Sequence, residues 1–153
     1  MPYDIPYDEK VTKNKQKVLV PNIHVAVKWP SDVHVGYRTI VSTTMPFPIF
    51  HRGQLYSQYG LRLKSAPSGY PSTLKFEGSE QPVEYADVRL IIKDDRGRQL
   101  QWESTVGFWP VKMNYLGLRC ALDYLDAQFP INLQKVVVTP NSHFRAAGRG
   151  HAP

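Results

Sequence analysis

At 153 residues the chain has room for one domain, and 42% hydrophobic with 12% aromatic residues is too apolar for an intrinsically disordered polymer. A formal net charge of +6 favours anionic partners. The single cysteine, Cys120, excludes a disulfide framework and a cysteine-rich zinc site, and no run of about twenty apolar residues offers a membrane-spanning helix.

Residues 1–17 read as an extended arm. Two Xaa-Pro-Tyr units place Tyr3, Ile5, Pro6 and Tyr7 where they can anchor in a groove on a second copy. Lys10, Lys13, Lys15 and Lys17 follow as a basic cluster. The start, Met1-Pro2-Tyr3-Asp4, lacks the basic-then-apolar layout of a signal peptide and has no acceptor glycine for myristoylation, so the expectation is a protein that is not secreted.

From Ile23 the pattern has period two. Ile23, Val25, Val27 and Trp29 share one face, Pro30-Ser31-Asp32 turns the chain, and Val33, Val35 and Tyr37 continue the alternation, which predicts an antiparallel hairpin. His24 and His34 fall on its polar faces and have no third ligand at metal-binding spacing. Next, Pro46 and Pro48 exclude a central strand. The apolar side chains Met45, Phe47, Ile49 and Phe50, beside Arg52, then read either as core or as a hydrophobic loop that enters a membrane surface. Tyr70-Pro71-Ser72-Thr73-Leu74 has the form of a short peptide (Tyr70, Pro71 and Leu74 as its fixed positions) by which viral structural proteins recruit a host membrane-scission adaptor.

Residues 85–106 predict a second hairpin, turning at Asp94-Asp95-Arg96-Gly97, with the two carboxylates as turn formers in water. After Pro110 the period becomes helical: Tyr115, Leu118, Leu122, Leu125 and Phe129 form a stripe, Asn114 a cap and Pro130 a stop, so the main helix is expected over about 111–129 with Cys120 as a small core residue. Val136 to Val138 predict a short buried strand, and 141–153 a flexible basic tail. The expected architecture is α+β: an antiparallel sheet of hairpins packed on one helix, in a domain over 18–140.

Charge is unevenly spread. Between Val33 and Phe76 there is no acid, and the bases Arg38, Arg52, Arg62, Lys64 and Lys75 are interleaved with aromatics; residues 76–109 reverse the sign with seven acids against four bases. Bases beside aromatics suit phosphate, on nucleic acid or on lipid headgroups. With the Lys10–Lys17 cluster they form the candidate phosphate- or membrane-binding set. No phosphate loop, metal-ligand motif or nucleophile motif is present. The expectation is therefore no cofactor and no enzymatic activity.

Several segments resemble the matrix proteins of non-segmented negative-strand RNA viruses, of the rhabdovirus-like or bornavirus-like kind. They are the Tyr3 to Glu9 arm, the strand ending Lys93-Asp94-Asp95, the helical stripe Tyr115 to Phe129, the closing strand and Ser142-His143-Phe144. The chain is shorter than typical rhabdovirus members and lacks both their Lys-rich leader and a Pro-Pro-x-Tyr motif. The resemblance implies an α+β structural protein that self-associates under a viral envelope, binds anionic lipid membrane and nucleocapsid, and drives assembly and budding. It would lie at the inner face of the envelope in virions, and in host cytoplasm or at the inner face of the plasma membrane in cells. The alternative is an RNA-binding structural subunit of a larger assembly, with Tyr56, Tyr59 or Phe76 stacking on bases.

Overall fold

Period-two alternation governs far more of the chain than the two hairpins in which the sequence displays it. The structure, a computed structural model, describes residues 2–7, 9–11, 17–19, 22–53, 55, 59–130, 135–142, 144, 150 and 151. Both expected hairpins are present. Strands β4 (Asn22–Lys28) and β5 (His34–Val41) pair antiparallel, after β1 (Tyr3–Pro6), β2 (Glu9–Val11) and β3 (Lys17–Leu19). Farther on come β6 (Ile49–His51), the small hairpin β7 (Thr73–Phe76) and β8 (Ser79–Pro82), then β9 (Glu84–Lys93) and β10 (Gln99–Trp109), which pair along ten residue positions. The chain ends with β11 (Tyr115–Leu116), β12 (Leu125–Gln128), β13 (Lys135–Pro140) and β14 (Gly150–His151).

Six of these strands close on themselves. β4 pairs with β5, β5 with β11, β11 with β6, β6 with β10, β10 with β9, and β9 again with β4. Closure leaves neither β4 nor β9 a bare edge and gives inward residues a common interior. Val25, Val27, Phe50, Leu90, Trp102, Val106 and Phe108 fill it, each at most 1% exposed. A Val, Leu, Ile or Phe buried this completely contributes about 1.5–3 kcal/mol.

The expected α+β architecture is thereby corrected to a β-rich one. No α-helix occupies 111–129: Tyr115 and Leu116 form β11, a 3-10 turn covers Leu122–Tyr124, and β12 follows directly. The stripe is real as hydrophobicity and misleading as periodicity. Its two ends bond to β5, β6 and β13 and only the turn between them bonds to itself, Cys120 has a left-handed φ of 62°, and Phe129, the last member of the stripe, is 47% exposed. Cys120 is a half-buried turn residue, not a helical core residue.

β11 lies between β5 and β6, so the 42–48 connection must arch past it. Leu118 N–H donates to Met45 O at 3.1 Å and Arg119 N–H to Pro46 O at 2.9 Å. Gly117 permits this approach, because a Cβ there would stand 2.3 Å from the Phe47 carbonyl oxygen. Over one end of the barrel, β1, β13 and β12 form a separate three-stranded sheet. Val136 and Val138 of β13 are buried, in line with the short strand expected there.

Candidate anion-binding site

The candidate membrane loop is interior. Phe47, Ile49 and Phe50 are 2%, 0% and 0% exposed, and Met45 packs against the same cluster. Phe50 meets Tyr37 and Phe108 with ring centroids 4.6 and 5.8 Å apart; Phe47 meets Tyr70 and Tyr85. Pro46 and Pro48 do keep this segment out of a central strand, but the residues beyond them become β6, whose short ladder starts where the prolines stop. The reading of this loop as a membrane contact is therefore withdrawn.

The arm is likewise part of the chain's own fold at Tyr3 to Pro6. β1 pairs with β13 (Tyr3 with Val138, Ile5 with Val136), Tyr3 and Ile5 are each 2% exposed, and Tyr7 packs on the same core. Arg98 stacks over the Tyr3 ring at 4.8 Å, and Lys135 Nζ meets Asp4 Oδ2 at 2.8 Å. The Tyr-Pro-x-x-Leu peptide is not free either. Tyr70 packs on Phe47 and Tyr85 with Arg119 over its ring at 4.1 Å, the Pro71 carbonyl accepts from Tyr85 Oη, and Leu74 lies in β7. Burial pushes both the Tyr70 and Tyr85 hydroxyls up to about 12.

The acid-free segment does not gather into one basic patch. Arg52 pairs with Glu84 at 2.8 Å and Lys64 with Asp87 at 2.7 Å, while Lys75 stands opposite Glu80 across the small hairpin. The acid-rich stretch folds back onto the acid-free one and neutralises it. Arg62 is exposed elsewhere, Lys13 and Lys15 lie outside the described residues, as does Tyr56, and Lys10 and Lys17 sit on β2 and β3. Among the candidate bases whose side chains are described, only Arg38 belongs to the charged surface that the fold does assemble.

That surface is the outer face of β5, β4 and β9. Each strand carries the same outward sequence of base, small or apolar residue, base: His34-Gly36-Arg38, His24-Ala26-Lys28 and Arg89-Ile91-Lys93. The registers pair Arg38 with His24, Gly36 with Ala26, His34 with Lys28, Ala26 with Ile91 and Lys28 with Arg89; continued one step, the last register sets His24 beside Lys93. Three rows result. Arg38, His24 and Lys93 make one wall, His34, Lys28 and Arg89 the other, and Gly36, Ala26 and Ile91 the floor between them. The walls stand about 13 Å apart, four residues along the strands. A depression of about 620 Å³ covers part of this face, taking in His24, Ala26, Lys28, His34, Ile91 and Lys93 but not Gly36, Arg38 or Arg89; Ile5 and Pro6 of β1 with Tyr7 border it at one side and Gln99 and Gln101 at another.

His24 leans into the trough. Its Nε2 is 2.6 Å from where a Gly36 Cβ would be, so the imidazole lies over the glycine. Two carboxylates reach the far wall: Asp32 is 3.5 Å from Lys28, and Glu103 is 3.7 Å from Arg89. Lys93 makes no ion pair among the described residues. The β2–β3 segment, with its four lysines and with Asp8 and Glu9, follows Tyr7, which borders this depression, and precedes β4, which begins at Asn22. β14, from the acid-free tail, pairs with β10 at Gln101.

A second depression, about 690 Å³, opens where the β4–β5 turn splays from β9; Lys28 and Arg89 there face Asp32, Asp87 and Glu103, so acids outnumber bases in it. The signal for the trough was present in the sequence as three base-x-apolar-x-base triplets, which become a site only once registers are known. Cys120, Asp94 and the hydroxyls of Ser42 and Thr44 offer less. Asp94 is buried and accepts from Arg96 N–H and from Arg98 N–H and Nε, so it is a structural turn lock, not the solvated turn former expected. Burial would raise its pKa, and the Arg98 and Arg96 hydrogen bonds outweigh that and hold it below the usual carboxylate range. Ser42 Oγ and Thr44 Oγ1 bond to each other at 3.0 Å, and Ser42 Oγ accepts from Met45 N–H, bracing the arch.

Among the described residues no group of three His, Cys, Asp or Glu could hold a metal ion, and no helix is long and apolar enough to cross a membrane. No family model, curated protein or solved structure matches the chain.

Proposed function

We propose that this chain is a structural, assembly-type protein that engages a phosphate-bearing partner through the β5-β4-β9 face and carries no catalytic activity of its own. The observation that supports this reading most is the register of the three strands, which turns three separate triplets into two facing cationic walls. Four permanent charges, Lys28, Arg38, Arg89 and Lys93, with two imidazoles between them, supply on the order of 1 kcal/mol each against an anionic surface. The matrix-type reading survives in altered form: contact with membrane or nucleocapsid at the inner face of an envelope is electrostatic, without an inserted apolar loop. Self-association through an arm anchored by Tyr3 and Ile5 is disfavoured, since both side chains are buried in the chain's own core.

Retention on phosphocellulose tests the reading. The protein binds at about 50 mM salt and elutes as salt rises. The double variant Lys28→Gln/Lys93→Gln elutes clearly earlier than Arg62→Gln/Lys75→Gln, which loses the same charge outside the trough. Equal elution of the two variants rejects the site.

A further inference from the structure

We infer that the depression beside β1 holds one small phosphate monoester that carries an apolar body, such as an aryl phosphate. This rests on the phosphate-binding reading above and names the class of ligand. The volume of about 620 Å³ falls within the range of about 300–1,000 Å³ usual for small-molecule sites. Strand register sorts its lining into rows. His24, Lys93 and Gln99 stand side by side on β4, β9 and β10, about 4.8 Å from strand to strand. Two residues along, Ala26, Ile91 and Gln101 make the next row. The His24 ring rests over Gly36 on β5, so the open floor is Ala26 and Ile91, each half-buried.

Charge selects a single phosphate. No carboxylate is among the described residues that line the depression, yet its cations are few. Lys28 is shared with Asp32 at 3.5 Å, whereas Lys93 is exposed and makes no ion pair among the described residues. One unpaired ammonium, with an imidazole on one side and a carboxamide on the other, matches the charge and the acceptors of one terminal phosphate. A polyanion or a charged surface needs several such ammonium groups together. The apolar lining in turn selects an ester over the free ion. Ala26 and Ile91 below, with Pro6 and Tyr7 at the border, set carbon surface beside the same ammonium, and inorganic phosphate leaves that surface in water.

The test is titration of the full chain with phenyl phosphate, inorganic phosphate and phenol, followed by amide chemical shifts. Phenyl phosphate moves the signals of Ala26, Ile91, Lys93 and Gln99, and binds about tenfold tighter than either fragment. Lys93→Gln weakens it about tenfold, and Lys75→Gln, on the small hairpin, less than about twofold. Ala26→Phe fills the depression from the outer face of β4 and abolishes binding while the circular dichroism of the sheet is retained. Equal affinity for phenyl phosphate and inorganic phosphate overturns the apolar body and leaves the phosphate-binding reading intact. Phenol binding as tightly as its phosphate, or unchanged affinity in Ala26→Phe, overturns the site. Absence of binding by all three overturns the inference, and the phosphocellulose comparison then decides the broader reading by itself.

Discussion

Two bodies of positive charge sit in this molecule, and they behave in opposite ways. The 33–76 segment is the more basic along the chain, yet in space Arg52 and Lys64 meet Glu84 and Asp87. The trough is unremarkable along the chain, since its bases come from three strands and alternate with buried residues. In space it brings four permanent cations onto one face, two of them paired with carboxylates, Lys28 with Asp32 and Arg89 with Glu103. Charge counted in sequence windows reports the neighbours a residue has on its own strand. Charge that acts on a partner is set by cross-strand register. Folding cancelled the first concentration and created the second.

The sharpest way to break this contrast is to test whether the aromatics of the acid-free segment are core. Phe50→Ala removes a ring that is 0% exposed and touches Tyr37 and Phe108. It should cost about 3–5 kcal/mol in denaturant unfolding. An unchanged midpoint would return Phe50 to the surface and restore the membrane loop.

Next in size is the turn that holds β9 and β10 in register. Asp94→Asn leaves the Arg98 guanidinium beside a neutral amide and should cost about 2 kcal/mol. The folded pKa of Asp94 is depressed, so its contribution is complete above the ordinary carboxylate range and disappears as pH falls through the depressed value. Acid unfolding of the parent should therefore steepen below about pH 4, and the variant should lack that component. Identical acid limbs would remove Asp94 as the turn lock.

A direct comparison of the two charge regions uses stability as the readout. Lys64→Gln breaks an exposed ion pair and should destabilise by about 0–1 kcal/mol. Lys93→Gln removes one of several like charges and should be neutral or stabilising by a few tenths of a kcal/mol at low salt, the difference vanishing as salt screens the trough. Equal destabilisation by both would show that Lys93 has a compensating acid and that the trough is not a surplus of charge. The smallest effect is expected at Gly36→Ala. A methyl there displaces the far end of the flexible His24 side chain, so stability should change by less than about 0.5 kcal/mol while the His24 ring resonances move. Unmoved resonances would mean that the imidazole does not rest in the trough.

Local pairing was legible in the sequence. The hairpins at 23–41 and 85–106 announce themselves because alternation, turn residues and partner strands all fall within about twenty residues. The strand at Val136 to Val138 was legible as a buried apolar run. What escaped depends on distant partners. The Tyr115 to Phe129 stripe fits a helix as well as any segment of its length, and it becomes β11, a turn and β12 because β5, β6 and β13 offer its backbone hydrogen bonds. Tyr3 and Ile5 looked like an outward arm because nothing near them in sequence pairs with them; their partner strand begins at Lys135. The site was half-visible for the same reason. Its triplets can be read from alternation alone, but their alignment depends on the β4–β9 ladder, which joins residues more than sixty apart.

The short strand β11 has a consequence for the order of assembly. Tyr115 pairs at once with Ile40 and Ile49, both made more than sixty residues earlier, and the arch over 42–48 takes its anchoring hydrogen bonds from Leu118 and Arg119. A nascent chain released before this point would hold β5 and β6 apart with nothing to bridge them. Closure of the ring therefore waits on late synthesis, and the polypeptide should fold slowly for its size, as chains dominated by remote contacts do. A truncation ending at residue 114 should accordingly be sticky and protease-sensitive, because two strands would remain with open edges awaiting a wedge that never arrives.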